Sequence, residues 1–150
     1  MGHTFTNLLV HMIFSTKDRL PLVDVELRSK LYPYLGGILN HLGAIPLALN
    51  GPADHVHGLV KLRAVHSVAK VVEKLKSNST GWVHEEWPER RQFAWQEGYA
   101  AFSVSESCVP ALLKYIAGQE EHHRKVSFQE ELVIFLKAHG IEYDERYIWT

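Results

Sequence analysis

The sequence is poor in features that would assign it to several familiar classes of protein. Its 150 residues include a single cysteine, Cys108, which excludes an internal disulfide framework and a zinc site built from paired thiolates. No apolar run approaches the roughly 18 residues of a membrane span, and the N-terminal residues lack the basic and apolar regions of a secretion signal. These absences predict a cytoplasmic protein with no membrane partner.

The chain also lacks the basic excess that is usual in proteins that bind duplex nucleic acid, since its formal net charge is −1. The basic residues are unevenly placed, and many of them follow position 60. Those that we consider as nucleic-acid contacts are Lys61, Arg63, Lys70, Lys74, Arg90 and Arg91. The acidic residues concentrate late in the chain, at 130–131 and 142–145. A basic face and an ordinary mixed surface both fit this distribution.

The order of apolar patterns predicts one α+β domain over residues 1–150. Alternation predicts strands at 7–16, 44–50, 54–62 and 96–104. Helical spacing and capping residues predict helices at about 25–42, 67–86, 105–125 and 127–140. Strand, helix, strand, strand, helix, strand is the ferredoxin-like split βαβ plan, with an antiparallel sheet and here with additional C-terminal helices.

Two consequences follow from this plan. Pro33 falls inside the first helix, so we expect a kink or a split there. Two helices cover only one face of a four-stranded sheet, and the other face needs the added helices or a second copy of the chain to cover it. Exposed apolar surface of several hundred Å² is rare on monomers, which favours a homodimer.

Two short patterns have the residue types of a catalytic site. In a strand, His55-Val56-His57 places both imidazoles on one face. In a helix, Tyr115 and Gln119 are neighbours on one face because they are four residues apart. Two imidazoles and an amide oxygen can bind a divalent metal ion, and a phenol beside that ion can attack a phosphodiester. Asp54 precedes the pair and is a candidate to orient one imidazole.

Each of these signals also has an ordinary structural explanation. The chain has 10 histidines, so a His-x-His triplet arises readily by chance and needs only hydrogen-bonded strand histidines. Tyr115 fits the apolar stripe of a core helix, and Gln119 fits a solvated surface. Trp95, one of several aromatic residues near basic ones, can stack on a base or belong to the core.

The combination of segments is more specific than any one of them. It resembles the HUH-type single-tyrosine transposases, which move insertion sequences as single-stranded DNA, and their REP-associated relatives. The resemblance runs from about residue 7 to the C-terminus. The segments that carry it are VHMIFSTK at 10–17, GPADHVHGLV at 51–60, WQEGY at 95–99, SVSES at 103–107 and KYIAGQ at 114–119.

The resemblance implies a fold of the HUH endonuclease type and a defined site. His55, His57 and Gln119 would bind Mg²⁺ or Mn²⁺, and Tyr115 would be the nucleophile. The implied activity is that of a DNA transposase, which cuts and rejoins single-stranded DNA through a 5′-phosphotyrosine intermediate. Because the phosphodiester is exchanged rather than hydrolysed, no nucleotide cofactor is needed. The implied partners are single-stranded DNA with a hairpin and, in a homodimer, a second copy of the chain.

Two other functions stay open from the sequence. One is a domesticated, non-catalytic relative that only binds hairpin DNA, although the full set of site residues argues against it. The other is a metal-dependent hydrolase with a zinc site at Asp54-His55-Val56-His57, which would need further ligands that the sequence does not show. Gly51-Pro52 departs from the family pattern, in which a bulkier residue often precedes the proline.

Overall fold

A four-stranded antiparallel sheet lies at the centre of the molecule. The structure is a computed structural model that describes residues 2–123 and 125–149, apart from the side chain of Glu120. The strands follow one another along the sheet in the order β2-β3-β1-β4. Every neighbouring pair is antiparallel. This is the strand order of the ferredoxin-like plan, so the predicted fold class is confirmed. The strands are β1 (Leu8–Ser15), β2 (Ile45–Asn50), β3 (His55–Leu62) and β4 (Ala100–Val104).

Five α-helices in the described residues lie on the two faces of this sheet. They are α1 (Val25–His41), α2 (Val68–Glu86), α3 (Val109–Ala117), α4 (Gln119–His122) and α5 (Phe128–Ala138). Asp24, Ser67 and Ser127 cap α1, α2 and α5, as their sequence patterns predict. No helix within residues 2–123 and 125–149 is long and apolar enough to span a membrane.

The alternation of β3 separates two cores on opposite sides of the sheet. Val56 and Val60 pack with apolar side chains of α1 and α2 in the main core. Leu59 points the other way, where it packs with Ile116 of α3. On that same side, α5 packs Phe128 and Leu136 against side chains of β1 and β4. The second face is therefore covered by the chain's own C-terminal helices, which is one of the two covers that the sequence left open. An uncovered sheet face is no longer an argument for a homodimer.

Three predicted elements differ from the observed ones. Helix α1 continues through Pro33 without interruption, so the predicted split does not occur. The fourth strand begins at Ala100 rather than at residue 96, because Gly98 has a φ of +71° that turns the chain before the strand. The helix predicted over 105–125 is broken at Gly118, which ends α3 and precedes the short helix α4. Glycine is a poor helix former, which accounts for the break there.

The N-terminal cap of α1 provides a test of how this helix is held. Asp24 accepts a hydrogen bond of 2.9 Å from the backbone N–H of Leu27 and one of 2.8 Å from the guanidinium of Arg90. We expect Asp24→Ala to lower the free energy of unfolding by about 1 kcal/mol, as is typical of a lost cap. Asp24→Asn keeps an acceptor for Leu27 and should recover most of that loss, since exposed ion pairs contribute little. Urea denaturation measures both variants, and equal destabilisation of the two would contradict the capping explanation.

Candidate metal and nucleophile site

Two buried imidazoles on β3 form the base of the site. His55 and His57 are both 0 % exposed, and they lie on the sheet face opposite the main core because Val56 between them points into that core. Their side chains are therefore next to each other under the C-terminal helices, as the strand spacing predicts. Their Nε2 atoms both point toward one carboxylate oxygen on α5, Oε1 of Glu131, at 3.1 Å for His55 and 2.8 Å for His57.

The opposite nitrogen of each ring is engaged by a second side chain. Nδ1 of His55 lies 2.7 Å from Oδ1 of Asp54, the contact expected for an orienting role. Nδ1 of His57 shares a hydrogen bond of 2.8 Å with Nε2 of His11, a buried residue on the neighbouring strand β1. These bonds fix the rotation of both rings, so each ring presents Nε2 to the site. His11 is not among the site residues predicted from the sequence. Its contact with His57 depends on how β1 and β3 pair, which no local pattern in the sequence reveals.

The turn before β3 brings the chain very close to the first histidine. A Cβ on Gly51 would lie 2.2 Å from the carbonyl oxygen of His55 and 3.1 Å from its carbonyl carbon. Both atoms belong to the backbone, so they cannot move aside as a flexible side chain does. Only glycine fits at position 51, and the departure from the family pattern at Gly51-Pro52 is compatible with a tight turn that sets the start of β3.

Glu131 of α5 lies at the centre of the site, and the sequence analysis missed it. It is 2 % exposed. Its Oε1 faces the two β3 imidazoles, while its Oε2 lies 3.2 Å from Nε2 of His122 and 3.1 Å from Nε2 of His123. A signal was present in the sequence. Glu131 is three residues after Phe128 and four before Phe135, which places an acid on the apolar face of α5.

Tyr115 reaches the same carboxylate from α3. Its hydroxyl donates a hydrogen bond to Oε2 of Glu131 and lies 3.1 Å from Nε2 of His122. Its ring meets that of His57 edge to face, with 5.8 Å between the centroids. The structure thus brings the predicted nucleophile and both predicted imidazoles of one chain together.

Gln119 is buried but is held differently from the prediction. The break at Gly118 removes it from the helix of Tyr115, so the two residues do not share one helix face. Gln119 is 0 % exposed, and its Nε2 donates a long hydrogen bond of 3.4 Å to the carbonyl of Tyr115. Its Oε1 has no hydrogen-bond partner among the described residues. A buried amide oxygen without a donor is an acceptor that a cation can satisfy, so the residue is compatible with a role as a metal ligand.

The electrostatics follow from burial and from the shared carboxylate. Burial lowers the pKa of His11 to about 3, and the nearby His57 adds to this effect. Burial also lowers the pKa of His57, whereas at His55 the bonds to Asp54 and Glu131 outweigh burial and raise the pKa. Burial opposes ionisation of Glu131, but the surrounding imidazoles hold its pKa far below the usual value. Burial and the charge of Glu131 together raise the pKa of Tyr115.

The donor set fits a divalent metal ion. One donor atom from each of His55, His57, His123 and Glu131 lies within 4.8 Å of the others. Imidazole nitrogens and a carboxylate oxygen together are common ligands of first-row divalent ions, and the carboxylate also suits Mg²⁺ and Mn²⁺. The unpartnered oxygen of Gln119, a residue four positions before His123 in the chain, is a further candidate donor.

Among the predicted DNA contacts, only some lie on the side of the site. The alternation of β3 gives Lys61 the same face as the two histidines, and Arg63 follows just beyond the strand end. Lys70 and Lys74 are on α2, which covers the opposite face, and Lys70 pairs with Glu73 at 3.5 Å. Arg90 is occupied by Asp24, at 2.8 Å. Arg91 is exposed in the loop after α2.

The expectation that Trp95 stacks on a base needs correction. The residue is 8 % exposed and belongs to the main core. Its ring meets Phe14 and Phe93 edge to face, and its indole N–H donates to Oγ of Ser79 at 2.9 Å. A ring enclosed in this way has no free face to offer to a nucleobase.

The chain combines an antiparallel ferredoxin-like sheet with two strand imidazoles and a tyrosine that contact the same carboxylate. The sheet and these three residues are those that the resemblance to the HUH-type transposases implies. The family model described as "Transposase IS200 like" matches residues 4–119. The chain belongs to this IS200-like transposase family. No curated protein matches the chain.

Two solved structures are similar to the chain. The crystal structure of a candidate transposase from Deinococcus radiodurans R1 is 26% identical, with a TM-score of 0.63, over 79% of this chain and 96% of that one. A REP-associated tyrosine transposase bound to a REP hairpin has a TM-score of 0.63 over 84% of this chain and 74% of that one. Its identity is 11%, so it supports the fold alone.

The hydrogen bond between His11 and His57 leads to a prediction about metal binding. We expect His11→Phe to weaken the binding of Mn²⁺ by about 10- to 100-fold, because residues that orient a ligand typically contribute that much. Phenylalanine keeps a ring among Phe102 and Phe135, so the packing should survive. Isothermal titration of each protein with MnCl₂ measures the affinity, and His41→Phe, an exposed site on α1, is the matched control. Equal affinity of wild type and His11→Phe would contradict the positioning role.

Proposed function

We propose that the chain is a metal-dependent DNA transposase that cuts and rejoins single-stranded DNA through a 5′-phosphotyrosine intermediate. The chain belongs to the IS200-like family, and one observation in its structure supports this proposal most strongly. The hydroxyl of Tyr115 and the Nε2 atoms of His55 and His57 all contact one carboxylate, that of Glu131. A phosphate that reaches the histidine pair would therefore lie beside the phenol.

The residues that would hold Mg²⁺ or Mn²⁺ include His55, His57 and Gln119, as the family resemblance implies. Bound there, the ion would withdraw charge from a non-bridging phosphate oxygen, orient the scissile bond and favour the ionised phenol. Without such a charge the phenol is a poor nucleophile, because burial and the carboxylate of Glu131 raise its pKa. Asp54 and His11 would keep the two imidazoles in orientation through their bonds to the Nδ1 atoms.

The bonds that are formed and broken in strand transfer belong only to the tyrosine and the DNA. The phenolic oxygen of Tyr115 forms a bond to phosphorus, the bond from phosphorus to the 3′ oxygen breaks, and that oxygen leaves as a 3′-hydroxyl after taking up a proton. The proton of Tyr115 faces Oε2 of Glu131 in the resting site. A later 3′-hydroxyl can attack the phosphotyrosine and release the tyrosine, so the number of phosphodiester bonds is conserved and no nucleotide is consumed.

Single-stranded DNA with a hairpin is the substrate that we propose. The support is the family and the solved relative that is bound to a REP hairpin. Lys61 is the strongest candidate for a contact with the DNA backbone, since it lies on the histidine face of β3. The remaining basic candidates on α2 and after it would contact only DNA that extends around the sheet.

The nucleophile is tested by Tyr115→Phe, which removes one oxygen and keeps the ring. We expect the covalent protein–DNA adduct to fall by more than about 10³-fold, because loss of a nucleophile removes the chemical step, while hairpin binding is retained. The adduct is measured on a denaturing gel with labelled single-stranded DNA. Tyr147→Phe, which changes a tyrosine that is 65% exposed, is the matched control.

The outcomes of this experiment also separate the competing functions. An undiminished adduct in Tyr115→Phe would remove this residue from the mechanism. If neither the wild type nor Tyr115→Phe forms an adduct but both bind the hairpin tightly, the chain is better explained as a non-catalytic protein that binds hairpin DNA. Full cleavage by the wild type in excess EDTA would contradict the metal dependence.

We also propose a homodimer, on the strength of the family resemblance and of an apolar strand edge. β2 is an edge strand of the sheet, and its Ile45 and Leu47 are 52% and 39% exposed. Unpaired edges with apolar side chains are common sites of association. Light scattering at micromolar concentration tests this proposal, and a monomer that still cleaves DNA would contradict it.

The position of Tyr115 predicts which chain supplies the nucleophile. Because Tyr115 contacts Glu131 and His57 of its own chain, we expect each site to act with its own tyrosine. A mixture of Tyr115→Phe and His57→Ala proteins should then stay inactive, because every chain lacks one component. Cleavage restored by mixing, measured with the same labelled DNA, would show that tyrosines act on a partner's histidines.

A further inference from the structure

We propose that Glu131 of the C-terminal helix α5 is itself a ligand of the divalent metal ion, so that the ion joins α5 to β3. The proposal rests on the metal-dependent function proposed above and deepens it. The family resemblance assigns ligands only to β3 and to the segment of Gln119. Glu131 lies beyond the matched residues 4–119, in a helix to which no role has been assigned.

The distances between donor atoms are those of ligands that share an ion. Oε1 of Glu131 lies 3.1 Å from Nε2 of His55 and 2.8 Å from Nε2 of His57. Around an octahedral ion with bonds of about 2.1 Å, adjacent ligand atoms are about 3.0 Å apart. The carboxylate oxygen therefore keeps the spacing of an adjacent ligand to both imidazoles at once.

The hydrogen-bond roles leave a place for a cation between these atoms. Nδ1 of His55 faces the carboxylate of Asp54, which accepts, so Nδ1 is the donor. When this ring is protonated, its Nε2–H donates to Glu131 Oε1; when it is neutral, the lone pair of Nε2 faces the lone pairs of that oxygen. Two acceptors 3.1 Å apart repel each other unless a proton or a metal ion lies between them. A divalent ion satisfies both of them and also faces His57.

The surroundings of Glu131 are also those of a carboxylate that can bind a metal ion. The side chain is 2 % exposed, so water does not compensate its charge. Within residues 2–123 and 125–149, its partners are imidazoles and the phenol of Tyr115, with no lysine or arginine among them. Buried carboxylates are usually paired with a cation or bound to a metal ion. Three imidazoles, those of His55, His57 and His123, form a cluster of candidate metal donors with this carboxylate.

If Glu131 is a ligand, the metal ion connects helix α5 to strand β3. β3 is a central strand of the sheet, and α5 is the last helix of the chain. Apart from the polar contacts of Glu131, α5 is held by an apolar cluster whose buried members are Phe128, Leu136, Ile13 and Phe102, with Leu132 and Phe135 of α5 packed against it. With Glu131 as a ligand, binding of the ion stabilises the docking of α5, and docking of α5 raises the affinity for the ion.

The test measures metal binding rather than DNA cleavage. Isothermal titration of the full chain with MnCl₂, without DNA, is carried out on wild type, Glu131→Gln and Glu130→Gln. Glutamine keeps the size of the side chain and removes its charge. We expect the affinity of Glu131→Gln to fall by more than about 100-fold, beyond the typical effect of an orienting residue. Glu130→Gln should match wild type, since Glu130 is exposed on the same helix and glutamine also completes the capping box.

A second measurement needs no substitution at Glu131, so it holds even if that variant does not fold. Hydrogen exchange of the wild type is followed with EDTA and with Mn²⁺. We expect Mn²⁺ to slow exchange in both β3 and residues 128–138. Slower exchange in β3 alone, or wild-type affinity in Glu131→Gln, would overturn the role of Glu131 while leaving the metal centre in place. Equal Mn²⁺ binding by wild type and His57→Ala would instead overturn the proposed metal centre itself.

Discussion

The contact of one buried carboxylate with two buried imidazoles is the constraint on which the functional face of this protein depends. Glu131, His55 and His57 are all at most 2 % exposed, so water cannot replace any of the bonds between them. Each group is tolerable in the interior only while the others are in place. The site therefore forms together with the docking of α5, and a mutation that loosens this helix is expected to disturb the histidines although it lies far from them in the sequence.

The sheet allows one strand to serve both the core and the site. β3 lies between β1 and β2, so both edges of its backbone are paired and its position is fixed. Its alternate side chains divide between Val56 and Val60 in the main core and the two histidines on the other face. The neighbouring strand β1 adds His11. It lies diagonally across from His57, whose direct partner in the sheet is Ile13, and the two imidazoles share a hydrogen bond. The packed core on one face thereby sets the geometry of the histidine site on the other.

Features that depend on a local pattern could be predicted from the sequence. Contacts between residues that are far apart along the chain could not. The order of strands and helices along the chain was enough for the fold class, and period-two alternation was enough to place His55 and His57 on one face. The acid at position 131 was visible only as an exception on the apolar face of α5, and its partners lie 74 and 76 residues away along the chain. Trp95 was ambiguous because an aromatic residue near lysines looks the same whether it is exposed or buried. The break at Gly118 was underestimated because Tyr115 and Gln119 fit helical spacing.

The position of Tyr115, the proposed nucleophile, is set by the end of its helix as well as by the apolar stripe. The last carbonyls of a helix have no partner within it. Here Nδ2 of Asn50, at the end of β2, donates to the carbonyl of Ile116 at 2.9 Å. Ile116 itself packs on Leu59 of β3. Tyr115 is thus attached through its neighbour to the two strands that flank the turn at Gly51, and the same turn starts the histidine strand. Catalytic geometry is sensitive to displacements of about 1 Å, and this shared attachment ties the position of the tyrosine to the strand that carries the histidines.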